Sequence, residues 1–200
     1  MATFFFLLTC VSLLGALSYF LARAHTHILS PRVKKPTPTV TDDGLPSIPR
    51  TLAQVYRMMD YTQFEVFSAA VVIGTGRGHH FYEHTGGAGD QGVDAMLHNL
   101  YGLRVVVQSK FYASENPVTP KEVRDFLGAI ALRKAVYGYF VTTSTFTKEA
   151  MKVVSASQSH IYAIDGQQLD VLLRHRHREI ALALQEILKD TAEDEEDKDS

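Results

Sequence analysis

The stretch that decides the fold runs Gly92-Val93-Asp94-Ala95-Met96-Leu97-His98, then Asn99-Leu100-Tyr101-Gly102, then Leu103-Arg104-Val105-Val106-Val107-Gln108-Ser109-Lys110. Two apolar runs, the second dense in β-branched valine, flank a turn rich in Asn and Gly, which is the pattern of a β-hairpin. Alternation places Gln108 and Lys110 on one face of the second strand. Ser109 then shares the opposite face with Val105 and Val107. The turn can bring Asp94, on the first strand, beside the Gln108–Lys110 pair.

Upstream, Leu52, Val55, Met58, Met59, Phe64, Phe67, Ala70 and Val71 recur at helical spacing and predict one or two helices over residues 52–73. Gly74, Gly76 and Gly78 end them, and a strand follows at about residues 79–84. Downstream, Thr119-Pro120-Lys121-Glu122 is a helix start. Thr119 caps, Pro120 takes the first helical position, and Glu122 reaches back as the capping-box acid. That helix should run to about Lys134. Strands are expected at 137–143 and 160–164, alternating with helices at 147–157 and 167–188, with Asp165-Gly166 as a turn. A hairpin followed by this alternation implies an α/β fold, a mixed sheet with helices on both faces.

The chain of 200 residues can hold one domain of usual size plus appendages, and its 46% apolar and 21% charged residues are ordinary globular usage. The single cysteine, Cys10, excludes an internal disulfide framework and a Cys-based zinc site. Residues 190–200 hold seven acids and one base, leaving 19 Lys+Arg against 15 Asp+Glu, or +4, for residues 1–189. A mildly basic body permits nucleic-acid binding without demanding it, and the acidic tail reads as disordered and solvated. Ala2 to Ala22 carries no charged residue, while Arg23, Arg32, Lys34 and Lys35 follow it. About 20 apolar residues suffice to cross a bilayer, and basic residues mark the cytoplasmic side. Residues 1–24 are therefore read as an uncleaved, single-pass transmembrane anchor with the domain in the cytoplasm. Ala22 and Ala24 keep a cleaved signal as the alternative. Residues 25–50, with Pro31, Pro36, Pro38, Pro46 and Pro49, read as an extended linker outside the core. The folded domain is expected over residues 51–189.

Three features converge on chemistry: the glycine-rich Gly86–Asp94 segment, the Gln108-Ser109-Lys110 strand end, and Glu65 inside the first helical region. An acid and a side-chain amide oxygen at Asp94 and Gln108 can bind a hard divalent cation. Lys110 can orient or deprotonate a water, or offset charge growing on a phosphate. A turn-forming Asp and a solvated edge Lys are the bland alternative for the same spacing.

At these residues the sequence resembles the Mrr-type restriction endonuclease domain, a type IV restriction endonuclease-like member of the PD-(D/E)xK nuclease superfamily. The resemblance spans about Tyr61 to Leu173. It includes Phe64-Glu65, Gly89-Asp90-Gln91-Gly92-Val93-Asp94, Gln108-Ser109-Lys110, Gly138-Tyr139-Phe140-Val141-Thr142-Thr143, the helix start at Phe146–Ala150 and Ile164-Asp165-Gly166 before Leu169. It implies a restriction-endonuclease-like sheet flanked by helices, and DNA cleavage with Mg²⁺ or Mn²⁺. It further implies a metal-binding Asp94, a Gln108 standing where most of the superfamily has an acid, a catalytic Lys110, and Glu65 contributing to the metal from its helix. Asp90 fits the family's Gly-Asp pair and is either structural or a support of the site from behind. The partners are then DNA and, through the N-terminal helix, a membrane; a homodimer is left open.

Other motifs carry less. Gly87–Gly92 fits a dinucleotide-binding glycine pattern, but a strand rather than a helix should follow it. His79, His80 and His84 have no cysteine companions and read as exposed or phosphate-contacting. Arg174-His175-Arg176-His177-Arg178 reads as a solvated face of the final helix, or a contact to DNA backbone. Thr142, Thr143, Ser144 and Thr145 read as strand end and helix cap. The rivals to an enzyme are a non-catalytic nucleic-acid-binding module and a partner-recruiting domain at a membrane.

Overall fold

In a computed structural model describing residues 40–42, 44–85, 92–158 and 160–196, the hairpin forms as its pattern implies. Strands β1 (His80–His84), β2 (Ala95–His98) and β3 (Arg104–Lys110) make an antiparallel meander, with Ala95 opposite Val107 and Leu97 opposite Val105. Asn99 closes the β2–β3 turn: its side-chain oxygen accepts from the N–H of Tyr101 at 2.9 Å and of Leu103 at 3.0 Å. Strands β4 (Tyr137–Thr142) and β5 (Ile161–Ile164) add in parallel, giving one five-stranded mixed sheet in the order β1-β2-β3-β4-β5.

Capping side chains start the helices, as the sequence predicts for Thr119 with Glu122. Thr51 caps α1 (Leu52–Met58), Asp60 with Gln63 caps α2 (Tyr61–Gly74), and Thr119 with Glu122 caps α3 (Pro120–Leu132). Thr147 caps α4 (Lys148–Ala156), and Asp165 with Gln168 caps α5 (Gly166–His175), so the Asp165-Gly166 turn is a helix entry. The last helix, α6, spans His177–Glu196.

Alternation along β3 sorts its side chains into two cores. Val105 and Val107 pack with Phe64, Phe67, Leu173, Ile180 and Leu184 on the α2, α5 and α6 side. Val106 packs with Val123, Phe126, Ile130 and Phe140 on the α3 and α4 side. Each such large apolar side chain contributes about 1.5–3 kcal/mol on full burial. Close approach on the second face depends on Gly138, where a Cβ would lie 2.5 Å from the Phe126 ring.

Four expectations need correction. The helix expected over 167–188 is two helices, because Arg176 leaves helical geometry at φ −123° and ψ 24°. The halves serve different partners: α5 seats Leu169 and Leu173 under the sheet, whereas Ile180 at the start of α6 lies against Gly74 of α2. The basic run 174–178 therefore occupies a helix junction. Second, α6 continues through Glu196, so residues 190–196 extend a helix rather than begin a disordered tail. Alanine and glutamate are good helix formers, and Ile180, Leu184 and Ile187 anchor the helix upstream. Third, the proline-rich stretch to residue 50 is not all linker. Pro46, Ile48 and Pro49 are buried. Fourth, His79 is neither exposed nor free for phosphate. It is 3% exposed, its Nε2 lies 3.1 Å from the Tyr137 hydroxyl, and burial followed by the charges of Arg77 and His80 lowers its pKa.

Residues 1–24, read as an anchor, and most of the linker lie outside the described residues, as do Asp90 and Gln91. Among the described residues no helix is long and apolar enough to cross a membrane.

Candidate active site

Asp94 stands one residue before β2 and is fixed by its backbone on both sides. Its N–H donates to the Val107 carbonyl at 2.8 Å, and its carbonyl accepts from the Thr85 N–H at 2.9 Å. The side chain is fully buried. Its Oδ2 accepts from the Ser109 N–H at 2.5 Å, the Ser109 hydroxyl at 2.7 Å and Gln108 Nε2 at 3.0 Å. Three donors thus satisfy an oxygen of a side chain held away from water. The adjoining ends of β2 and β3 bring Asp94 and Gln108 into direct contact.

Strand alternation places Ser109 on the opposite face of β3 but does not reveal it as the main clamp on Asp94. One signal was available: a hydroxyl inside an otherwise apolar buried strand needs a partner.

Gln108 is 4% exposed and turns its amide nitrogen to Asp94 and to the Ser109 carbonyl. Its Oε1 points past Gly92, where a Cβ would lie 3.1 Å from that oxygen. Gly92, at φ +77°, tolerates a backbone conformation other residues avoid and leaves the oxygen accessible. Lys110 ends β3 and is half-buried. Gln108 and Lys110 open onto a cavity of about 300 Å³ whose far wall is Glu122, Asp125 and Phe126 of α3.

The chain after Lys110 is held by the hydroxyl run at the end of β4. The Lys110 carbonyl accepts from the Thr142 hydroxyl at 2.9 Å and the Thr143 N–H at 3.2 Å. The Thr143 hydroxyl donates to the Tyr112 carbonyl at 2.7 Å and accepts the Tyr112 N–H at 2.8 Å. The Tyr56 hydroxyl, from α1, donates to the carbonyls of Tyr112 and Thr143 at 2.7 and 2.9 Å. Thr142 and Thr143 are thus a clamp on the segment carrying Lys110.

Glu65 is buried in α2, 4% exposed, on the helix that packs the opposite face of the sheet. Its neighbour Phe64 meets Phe111, the residue after Lys110, at 5.4 Å between ring centres. Glu65 is not part of the cavity wall that Gln108 and Lys110 share.

The donor set fits a hard divalent cation: a buried carboxylate and an amide oxygen, with no thiolate or imidazole. Among the described residues no group of three or more His, Cys, Asp or Glu gathers.

Comparison with known proteins agrees with this architecture. The chain is 35% identical over 112 residues to the type IV methyl-directed restriction enzyme EcoKMrr of Escherichia coli (strain K12), covering 54% of this chain and 36% of that enzyme. It thus spans about a third of that relative's length. Among solved structures it is similar to the MspJI restriction endonuclease in complex with a 27-mer oligonucleotide, with a TM-score of 0.55 and 21% identity, covering 78% of this chain and 39% of the other. At that identity the likeness speaks to the fold. The Mrr_cat family, described as restriction endonuclease, matches residues 56–173, from the end of α1 through Leu173 of α5. The chain belongs to the Mrr_cat restriction endonuclease family.

Proposed function

We propose that this domain is an endodeoxyribonuclease that hydrolyses DNA phosphodiester bonds with the help of Mg²⁺ or Mn²⁺. The observation that carries the reading is the bond between buried Asp94 and Gln108 at one end of the β2–β3 pair, where Gln108 and Lys110 line an open cavity. Asp94 and the Gln108 oxygen would hold the ion; a contribution from Glu65 rests on the family resemblance alone, since its helix packs the other face of the sheet. A bound divalent ion supplies Lewis-acid stabilisation of the phosphate and a water of lowered pKa. Lys110 places a positive charge where the phosphodiester and its attacking water must meet, and so offsets the charge that grows on the phosphoryl oxygens. Ser109 and Gln108 keep the Asp94 carboxylate in one orientation, and the Thr142–Thr143 clamp fixes the backbone from which Lys110 projects.

The name of its Escherichia coli relative, a methyl-directed enzyme, makes methylated DNA the first substrate to test. The protein incubated with Mg²⁺ should nick supercoiled and linear DNA, with methylated DNA as the comparison. EDTA should abolish the nicking and added Mn²⁺ or Mg²⁺ should restore it. Cleavage that persists undiminished in EDTA would refute the metal-dependent reading. DNA binding without cleavage under any metal would favour a non-catalytic binding module.

Residues 2–22, uncharged and followed by four basic residues, support a second element of the reading: a membrane anchor with the nuclease domain on the cytoplasmic side. Full-length protein should then stay with membranes through alkaline carbonate extraction, and release into the supernatant would remove the anchor.

A further inference from the structure

The carboxylate of Glu122 is fixed more firmly than a helix cap requires. Its Oε2 accepts from the Thr119 N–H at 2.8 Å and the Thr119 hydroxyl at 2.7 Å, which completes the capping box of α3. Its Oε1 accepts a second tether, the Tyr112 hydroxyl, at 2.7 Å. Tyr112 lies two residues after Lys110, on the backbone that Thr143 clamps. The tether therefore joins the end of β3 to the first turn of α3, and both carboxylate oxygens are held. The capping function itself needs no charge, because glutamine closes such a box equally well. Gln63 and Gln168 do so at α2 and α5. A charged residue occurs where the first turn of the helix borders the cavity shared with Gln108 and Lys110.

We propose that Glu122 is a positioning residue for Lys110: its tethered carboxylate, on the wall of the cavity that both residues line, draws the lysine ammonium toward it electrostatically and so sets its aim relative to Gln108. The inference rests on the nuclease reading of Lys110. Burial works to raise the Glu122 carboxyl, but hydrogen bonds from Tyr112 and Thr119, with the Lys110 charge, outweigh it and hold the group below the ordinary carboxylate value. Glu122 is thus anionic at neutral pH. Burial and then the same tether push the Tyr112 phenol up to about 12, so it remains a donor.

The test compares full-length wild type with Glu122→Gln, Tyr112→Phe, Lys110→Met and the Glu122→Gln/Lys110→Met pair. Glutamine preserves the cap, so folding should be retained. The kcat for nicking should fall about ten- to hundredfold with KM for DNA unchanged or lower, because aim is lost while a charge repelling DNA is removed. Tyr112→Phe should move kcat the same way by less. In the Lys110→Met background, Glu122→Gln should cost nothing more, since its effect passes through the lysine. Independently of cleavage, the ¹³Cε resonance of Lys110, identified by its loss in Lys110→Met, should shift in Glu122→Gln while those of the other lysines stay in place. An unmoved resonance, wild-type kcat in Glu122→Gln, or an equal loss in the Lys110→Met background would overturn the proposal. A shifted resonance in a wild type that cleaves no DNA would instead sustain the contact and refute the nuclease reading.

Discussion

Replacing Lys110 with alanine is expected to lower DNA cleavage by about 10²–10³-fold, roughly 3–4 kcal/mol of transition-state stabilisation, while leaving most DNA binding in place. Lys110 ends a strand whose backbone is bonded to β4 up to that residue, and its carbonyl is held by Thr142 and Thr143. Truncating its half-buried side chain therefore removes a charge without disturbing either core. Binding should weaken by only one phosphate contact, which would lower the slope of log affinity against log salt by about one. Cleavage rates under single-turnover conditions, with binding isotherms at several salt concentrations, check both halves. A loss of cleavage that merely follows a loss of affinity would make Lys110 a DNA contact rather than part of the chemistry.

Asp94 is expected to separate charge from structure. Asp94→Asn keeps the shape and offers an oxygen to the Ser109 N–H, so the hairpin should survive with a small change in stability. Cleavage should still fall by at least about 10²-fold, because a neutral amide holds a divalent cation poorly. Asp94→Ala is a different lesion. It leaves the Ser109 N–H, the Ser109 hydroxyl and Gln108 Nε2 without their acceptor at a fully buried position. With unsatisfied buried donors costing about 1–3 kcal/mol each, a loss of at least about 3 kcal/mol follows. For a domain of this size about 1 kcal/mol moves Tm by roughly 2–4 °C. Thermal unfolding should therefore place Asp94→Ala well below Asp94→Asn. Equal Tm values would mean that the Asp94 bonds are not what holds the strand ends together.

Much of the scaffold was legible because short-range physics fixed it. The valine run of β3 alternates between two cores, Asn99 and Gly102 close the hairpin, and Thr119-Pro120-Lys121-Glu122 starts α3 as its capping chemistry requires. What escaped depends on contacts distant in sequence. The break at Arg176 arises because α5 and α6 pack against different layers, which no local pattern states. Ile48 joins the core from a proline-rich stretch whose composition argues for exposure. His79 is buried by Tyr137 and Tyr139, more than fifty residues away.

The site divides along the same line. Asp94 opposite Gln108, with Lys110 on the same face as Gln108, follows from strand period and one turn. Ser109 as clamp, Tyr112 as tether and α3 as far wall all need the tertiary arrangement. Glu65 could be assigned a metal-supporting role only through family resemblance, since its helix lies on the other face of the sheet from the Gln108–Lys110 cavity.

The most direct test of the central claim is the initial rate of Mg²⁺-dependent nicking of supercoiled plasmid by wild type, Asp94→Asn and Lys110→Ala, purified in parallel and matched for folded protein. A nuclease site at Asp94, Gln108 and Lys110 predicts nicking by the wild type that EDTA stops and that both variants lack by about 10²-fold or more, with DNA affinity largely retained. Equal nicking by all three proteins would contradict it and place the chemistry elsewhere.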